Sequence, residues 1–587
     1  MTSLFDAGRI GPVPIRNRVV MPSMTTRSAD EEGFVTPQTE AYYAARAQGG
    51  VGLLTVEMAA PEPVGRHRRR ELGIHDDRFL PGLTRLVGTI HAAGARAAIQ
   101  LGHGGGHTRP DVCGATPIAP SAVPHVVQEV TVETVVPEAM SLARIEETTR
   151  AHVRAAERAR AAGFDCVEIH AAHGYLISQF HTPFENRRTD HYGGRLENRA
   201  RFGLEILRRV KAAVPELGVI YRVTVDDFFP GGLVLAEGQQ IAVWAAEAGA
   251  DAVHVSAGLY RSQPSAARMI PPMAEPEATF LDHARQLKRR VRVPVIAVGR
   301  LGDPRVAMAA VAAGACDFVA LGRPLLADPD WVVKSQAGRS VRRCIACNTC
   351  VNDMRGGAAL RCLVNAGTGR EHEFAAARPP RGEQIAVIGA GPAGLTYASL
   401  VAENNRVTVF ERRRRAGGAL RLVAKAAAFQ EVEAREEPIG RYLTELEASC
   451  REAGVELAFG VDPVRDPSRL AGFDRVVVAT GAAYRSGLGL AVRVLLATGA
   501  ARWPGLRRLL SRKALREWIH FRARVPTGAA AARLVRRKQA VVVIGDAARA
   551  GTCQAAITAA FEAALLGRHA RSDTREDGAA EESAPGA

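Results

Sequence analysis

The chain has no apolar run approaching the roughly 20 residues that a membrane-spanning helix needs, so a membrane-spanning chain is not expected. Its first residues, Met1-Thr2-Ser3-Leu4-Phe5-Asp6, carry neither a basic nor an apolar stretch, so a secretory leader is not expected and a cytoplasmic location is. No nucleic-acid motif accompanies the net charge of +16, and the arginines are spread along the chain. Nucleic acid and membranes are therefore not expected as partners. In a reducing compartment the nine cysteines are expected as ligands or free thiols rather than disulfides. What is present is ordinary for a soluble globular protein, with 47% hydrophobic and 24% charged residues. At 587 residues the chain exceeds one hydrophobic core and implies two to four domains.

Short apolar runs ending in small or polar residues alternate with helical patterns, the sequence form of parallel β/α units. Eight strands are expected, at 18–21, 51–56, 95–101, 166–169, 219–223, 252–256, 294–298 and 318–321. Helical patterns at 145–162 and 303–313 lie between them. The fold class is α/β, with an N-terminal (β/α)8 TIM barrel over residues 1–340. Barrels carry their chemistry at the C-terminal strand ends. Strands seven and eight end in Gly299-Arg300 and Gly322-Arg323, where backbone amides and guanidiniums can hold a phosphate. Strand four ends in His170-Ala171-Ala172-His173-Gly174-Tyr175. There the imidazoles can hydrogen-bond a substrate carbonyl and the phenol can move a proton. Metal binding by this pair is the rival reading, for which no third ligand at companion spacing is evident.

The blocks Asn17-Arg18-Val19-Val20-Met21-Pro22, Gln100, His170 to Tyr175 and Arg187 to Arg199 follow in order. The chain thereby resembles the old yellow enzyme flavoproteins. That resemblance implies FMN in the barrel mouth, with Pro22, Met24 and Thr25 beside the flavin and Gln100 on its pyrimidine ring. It places Arg222 at N1 and O2, and Gly299, Arg300, Gly322 and Arg323 at the phosphate. It also implies that His170 and His173 hold a substrate oxyanion and that Tyr175 is the proton donor.

Cys344, Cys347, Cys350 and Cys362 form a C-x2-C-x2-C-x11-C pattern directly after the barrel, within a segment read as 341–378. Four soft donors suit either structural zinc or a [4Fe-4S] cluster. The motif joins the barrel to a nucleotide-binding domain, where an electron carrier has a task. The iron-sulfur subfamily typified by 2,4-dienoyl-CoA reductase and trimethylamine dehydrogenase is similar here, which implies a [4Fe-4S] cluster. The remaining cysteines, Cys113, Cys166, Cys316, Cys450 and Cys553, show no ligand spacing.

After a Pro- and Arg-bearing linker, an apolar run at 384–388 leads into Gly389-Ala390-Gly391-Pro392-Ala393-Gly394 and a helical pattern, with Glu411 ending the next strand. Strand, glycines, helix and a later acid together make a dinucleotide fingerprint. The acid is expected on ribose hydroxyls, which disfavours NADP. Segments at 476–481 and 541–546 resemble the closing segments of FAD-binding Rossmann proteins, with Asp546 at the ribityl chain. A Rossmann-type domain binding FAD, or ADP, is expected over 379–484 plus 539–570.

Two pieces of the reductase relatives are missing. No second glycine fingerprint for NADPH occurs between residues 482 and 539; a basic, helix-prone stretch at 485–538 stands there instead. Use of NAD(P)H is thereby put in doubt, and an acidic electron-carrier protein becomes a candidate partner for this stretch. No histidine follows strand six, where the chain reads Ser256 to Ser262. Residues 571–587 are expected to be a disordered tail. The expected function is reduction of an activated C=C in an enone, enoate or enoyl thioester, with electrons relayed through the cluster and FAD. An amine dehydrogenase or N-demethylase feeding a carrier protein is the runner-up, and a non-catalytic redox sensor is third. Homo-oligomerisation is left open.

Overall fold

The computed structural model describes residues 2–128, 132–429, 431–484, 488–510, 512–533 and 539–568. The chain divides into two compact units. One takes in the residues up to 376 together with 424–445, and the other takes in 377–423 and the chain from 446 onward. Residues 424–445, inside the span read as Rossmann-type, thus belong to the first unit.

In the first unit eight parallel strands close into a barrel in sequence order. They are β1 (Val19–Met21), β2 (Leu53–Ala59), β3 (Arg96–Leu101), β4 (Cys166–Ala171), β5 (Gly218–Thr224), β6 (Ala252–Ser256), β7 (Val295–Ala297) and β8 (Phe318–Ala320). Each runs buried along almost its whole length, because helices cover the outer face and side chains fill the interior. That is why the sequence shows continuous apolar runs rather than alternation. All eight expected strands are present, within three residues of their expected ends. Strand β2 runs furthest past its expected end, since its pairing with β3 shifts register between Val56 and Met58.

The helices α1 (Pro37–Gln48), α2 (Leu80–Ala92), α3 (Leu142–Ala161), α4 (Leu196–Ala213), α5 (Leu235–Glu247), α6 (Leu281–Lys288) and α7 (Pro304–Ala312) intervene between strands. Their starts are written locally. Thr36 and Thr39 form a capping box ahead of α1, and Ser141 accepts from the Arg144 amide ahead of α3. Asp303 accepts from the Arg305 amide, with Pro304 at the first helical position of α7. Such a side-chain cap contributes about 1 kcal/mol.

A hairpin of Gly8–Ile10 against Val13–Ile15 seals the N-terminal end of the barrel. Ile10, Val13 and Ile15 pack with Val20, Leu53, Ala98, Cys166, Ile220, Ile296 and Phe318 in one buried cluster. Contact there is close: a Cβ at Gly8 would lie 2.6 Å from the Phe318 ring. The barrel is therefore solid below and open only at the C-terminal strand ends.

The second unit holds a five-stranded parallel sheet of β9 (Gln384–Ile388), β10 (Arg406–Glu411), β11 (Glu456–Phe459), β12 (Arg475–Val478) and β13 (Ala540–Val543). The strand order is β11-β10-β9-β12-β13, the doubly wound Rossmann order with its reversal between β9 and β12. Between β12 and β13 lie α9 (Leu488–Ala497), α10 (Pro504–Leu510) and α11 (Lys513–Arg522). They are tied to the sheet by a ribbon of Ala482–Tyr484 paired with Arg524–Pro526. Residues 485–487, 511 and 534–538 of the basic stretch, and the tail at 571–587, lie outside the described residues. Among the described residues no helix is long and apolar enough to cross a membrane.

Candidate functional site

One cavity occupies the open mouth of the barrel. Its lining brings together the barrel residues expected at flavin and substrate: Pro22, Met24, Thr25, Gln100, His170, His173, Tyr175, Arg222, Gly299, Arg300, Gly322 and Arg323. They arrive there because each sits at or just beyond a C-terminal strand end, where a parallel barrel leaves its loops free.

The end of β4 bends sharply to present its two imidazoles. His173 has φ +68°, its amide donates to Thr224 Oγ1 at 2.8 Å, and its Nε2 lies 2.7 Å from Ser256 Oγ. The His170 and His173 rings meet edge to face with centroids 5.1 Å apart, and the Tyr175 ring lies 4.9 Å from that of His170. His170 is buried, and among the described residues its Nδ1 has no hydrogen-bond partner. Burial, reinforced by the neighbouring Arg222, holds both imidazoles well below their ordinary pKa. Both are neutral near pH 7, so each offers one N–H donor and one acceptor.

Beneath them Glu168 acts as a buried hub. It accepts from Gln100 Nε2 at 2.7 Å, pairs with His254 Nδ1 at 2.7 Å and lies 3.8 Å from Arg222. Burial alone would raise its pKa, but His254, Arg222 and Gln100 outweigh it and hold the carboxylate ionised. Gln100 is fixed from its other side by Ser23 Oγ at 2.9 Å. Gln100 and Arg222 thus present amide and guanidinium donors at set positions beside the cavity. His254, the histidine of strand β6, belongs to this hub inside the barrel.

At the opposite wall, Arg300 and Arg323 donate to the Pro272 and Pro271 carbonyls at 2.6 and 2.9 Å. Among the described residues neither has a carboxylate partner, whereas Arg343 and Arg441 beside them bind Asp303 and Glu277. Burial and the Arg323 charge lower the Arg300 pKa. A cationic pair without a counter-ion calls for an anion. The backbone leaves room for one: Gly299 has φ +108°, and a Cβ there would lie 2.7 Å from the Phe280 ring. These features fit FMN, whose phosphate Arg300 and Arg323 would hold and whose ring system Gln100 and Arg222 would meet.

Cys344 and Cys350 line the same cavity. All four expected ligands, Cys344, Cys347, Cys350 and Cys362, line a second small cavity with Ile345, Leu363 and Val364. Their loop is tightly turned, with Ala346 and Asn348 at φ +50° and +56°. The Ala346 amide donates to Cys344 Sγ at 3.3 Å. Among the described residues no three His, Cys, Asp or Glu side chains converge as the ligands of a single ion do; the thiols frame a space. Burial pushes Cys347 up to about 11 and Cys362 to about 12, so these two thiols keep their protons until a cationic group displaces them. Four soft donors around an apolar-walled space, with an amide aimed at sulfur, fit a [4Fe-4S] cluster.

In the second unit, Gly389 has φ +114°, and a Cβ on Gly394 would lie 2.0 Å from the Gly389 carbonyl oxygen. A Cβ on Gly391 would meet nothing within 4 Å. Gly391 caps helix α8 (Pro392–Val401), which leaves open backbone at a helix start, a geometry that suits an anion such as a pyrophosphate. Glu411 accepts from the Ala390 and Arg413 amides, each at 3.0 Å. Asp546 is not open: Arg524 forms an ion pair with it, and it accepts from the Gly551 amide at 2.9 Å.

The sequence reading missed three groups: Ser256, the Glu168–His254 pair, and the loop after β2 that brings His67 and Arg68 into the cavity. The rule of inspecting residues beyond strand ends reaches His67 and Arg68, but Arg66-His67-Arg68-Arg69-Arg70 has the look of a solvated charge run.

A family model described as NADH:flavin oxidoreductase / NADH oxidase matches residues 3–342, and one described as an NAD(P)-binding Rossmann-like domain matches residues 387–426. The chain is 38% identical over 488 residues to an NADH oxidase of Thermoanaerobacter brockii, covering 82% of this chain and 73% of that one. It is 30% identical over 517 residues to a cinnamate reductase of Clostridium sporogenes, covering 82% and 74%. The structure of a 2-naphthoyl-CoA reductase with 2-naphthoyl-CoA shares the fold, with TM-score 0.85 at 23% identity, covering 96% of this chain and 99% of that one. The barrel, its lined mouth and these likenesses agree: the chain belongs to the NADH:flavin oxidoreductase / NADH oxidase family, and it is a flavin oxidoreductase.

Proposed function

We propose that the protein reduces a C=C bond conjugated to a carbonyl or carboxylate. The observation that carries this reading is the neutral pair His170 and His173 beside Tyr175, with a buried Nδ1 on His170 that has no partner among the described residues. Two neutral donors suit an oxygen that gains negative charge as the double bond is reduced. When bound, FMN supplies the hydride and a [4Fe-4S] cluster at the four cysteines passes single electrons. In this reading Ser256, 2.7 Å from His173 Nε2, donates to that nitrogen, which would keep the proton on Nδ1 and fix the ring. Tyr175 holds the proton delivered to the α-carbon. The cinnamate reductase among the relatives supports an enoate or related acyl substrate. The test is anaerobic: chemically reduced enzyme is mixed with cinnamate, enones, enoyl thioesters and N-methylated amines while flavin absorbance is followed. Reoxidation by a conjugated C=C is expected; flavin that responds to amines alone would overturn the reading in favour of the amine dehydrogenase.

The Rossmann-type unit is read as holding FAD or ADP at Gly389, Gly391, Gly394 and Glu411. Electrons are read as exchanging with an acidic carrier protein rather than with NADPH. Residues 488–526 contain nine Lys and Arg against the single acid Glu517. Of the ten exposed large hydrophobics among the described residues, six fall here: Leu490, Val494, Trp503, Leu509, Trp518 and Val525. A basic surface with exposed tryptophans suits a protein interface with an acidic partner.

A further inference from the structure

Behind Tyr175 lies a buried polar cluster that the reaction as described does not use. The loop after β2 folds back so that the Glu71 carboxylate accepts from the His67 and Arg68 amides at 3.0 and 3.2 Å. The same carboxylate holds His67 Nδ1 at 3.0 Å. On its far side, His67 Nε2 meets the Tyr175 hydroxyl at 3.0 Å. Arg68 Nη1 reaches both that Nε2 and the hydroxyl, the latter at 3.3 Å. Relative exposure is 1% for Glu71, 2% for His67 and Arg68 and 4% for Tyr175.

Burying a carboxylate and a guanidinium costs several kcal/mol per ion before pairing, and a turn between β2 and α2 has no need of either. What the cluster does provide is a carboxylate–imidazole–phenol line ending on the proton donor. Tyr175 and His67 both border the cavity, and the 3.0 Å contact between the phenol and Nε2 gives the proton that Tyr175 delivers a built route of replacement.

We propose that His67, oriented by Glu71, is the relay that reprotonates Tyr175, and that Arg68 stabilises the phenolate in between. The inference rests on the reading of Tyr175 as proton donor. As the α-carbon is protonated, the Tyr175 O–H bond breaks and the new C–H bond forms, leaving a phenolate beside the Arg68 guanidinium. His67 keeps Nδ1–H on Glu71 throughout. Its Nε2 takes a proton from water at the cavity, since His67 lines the mouth. The Nε2–H bond then breaks as the Tyr175 O–H bond re-forms, and the imidazole returns neutral. One solvent proton is consumed per turnover, and no other reactant is needed.

The relay separates the first turnover from those that follow, because Tyr175 starts out loaded. In holoenzyme carrying His67→Gln or Glu71→Gln, a single turnover of reduced flavin with cinnamate should keep the wild-type rate. Steady-state turnover should fall about tenfold or more. Tyr175→Phe should slow both phases. A His67→Gln enzyme equally slow in its first turnover, or unchanged in both phases, would overturn the proposal. If no conjugated C=C reoxidises wild-type flavin, the functional reading fails separately, and the relay is judged on the phenol alone. Ring-13C tyrosine NMR titration, assigned with Tyr175→Phe, should place Tyr175 below the other tyrosines and move it up in Arg68→Met. A Tyr175 signal that titrates identically in wild type, Arg68→Met and Glu71→Gln ends the proposal.

Discussion

Ser256 on β6 places its hydroxyl 2.7 Å from Nε2 of His173 at the end of β4, so the imidazole pair is steered from two strands away. If Ser256 selects the His173 tautomer, Ser256→Ala should leave fold and flavin content intact. The net worth of such a hydrogen bond is about 1 kcal/mol, so kcat/KM should fall about fivefold. Ser256→Thr should restore most of the loss, because it keeps a hydroxyl. An unchanged kcat/KM in Ser256→Ala would show that another group orients the ring.

Thermal stability should peak near pH 6.5. Burial lowers His125 and His181 to about 3 and His152 to about 4, and holds His170 and His173 well down. Below about 6.5 the unfolded chain binds protons that these five imidazoles refuse, so stability falls as pH falls. Burial also raises Glu57 and Glu185 to about 8 and Asp227 to about 6. These acids keep protons that the unfolded chain has lost, so they cost stability as pH rises from about 4.5 to 8. Between 4.5 and 6.5 these five histidines outweigh the three acids; above that the unfolded imidazoles lose their remaining protons and the two glutamates dominate. Calorimetry of the holoenzyme from pH 4.5 to 8.5 tests this, and a Tm that climbs steadily to pH 8 would contradict it.

Neighbouring glycines of the Rossmann turn should fail in different ways. A Cβ on Gly394 meets the Gly389 carbonyl at 2.0 Å, so Gly394→Ala should destabilise the second unit by about 1–3 kcal/mol through overpacking. A Cβ on Gly391 meets no protein atom within 4 Å, so Gly391→Ala should fold normally and lose adenine nucleotide by blocking the pyrophosphate. Nucleotide extracted from each purified variant, compared with its melting curve, checks both. Full nucleotide content in Gly391→Ala would remove this site from the reading.

The legible parts of the molecule are those whose physics is local. Parallel strands buried on both faces appear as apolar runs, so all eight barrel strands and the Gly299-Arg300 and Gly322-Arg323 ends could be read directly. The thiols of Cys344, Cys347 and Cys350 are spaced by their own loop, and the fingerprint at Gly389 is a single turn. The hidden parts depend on distant partners. Glu168 meets His254 across 86 residues and Tyr175 meets His67 across 108. Arg524 closes on Asp546 only because the ribbon after β12 returns beside it. No spacing announces such pairs, and Arg524 takes the carboxylate that sequence reasoning assigned to a flavin.

The basic stretch between β12 and β13 offers the sharpest test of where electrons come from. Helix α11 packs on both α9 and α10, and the ribbon carrying them includes Arg524, paired with Asp546. Thr480 and Thr527 join across its base at 2.8 Å. A carrier seated on these helices would therefore sit one short ribbon from the end of the Rossmann sheet where a nucleotide binds. With ferredoxin as the acidic one-electron donor, Arg507→Glu combined with Arg508→Glu should raise KM for the carrier about tenfold and flatten its dependence on salt. Reduction by dithionite, which needs no docking, should stay at the wild-type rate. An unchanged ferredoxin KM removes the carrier from this surface. Binding to phosphatidylserine vesicles that the double variant abolishes would instead identify the surface as a membrane contact and overturn the carrier reading.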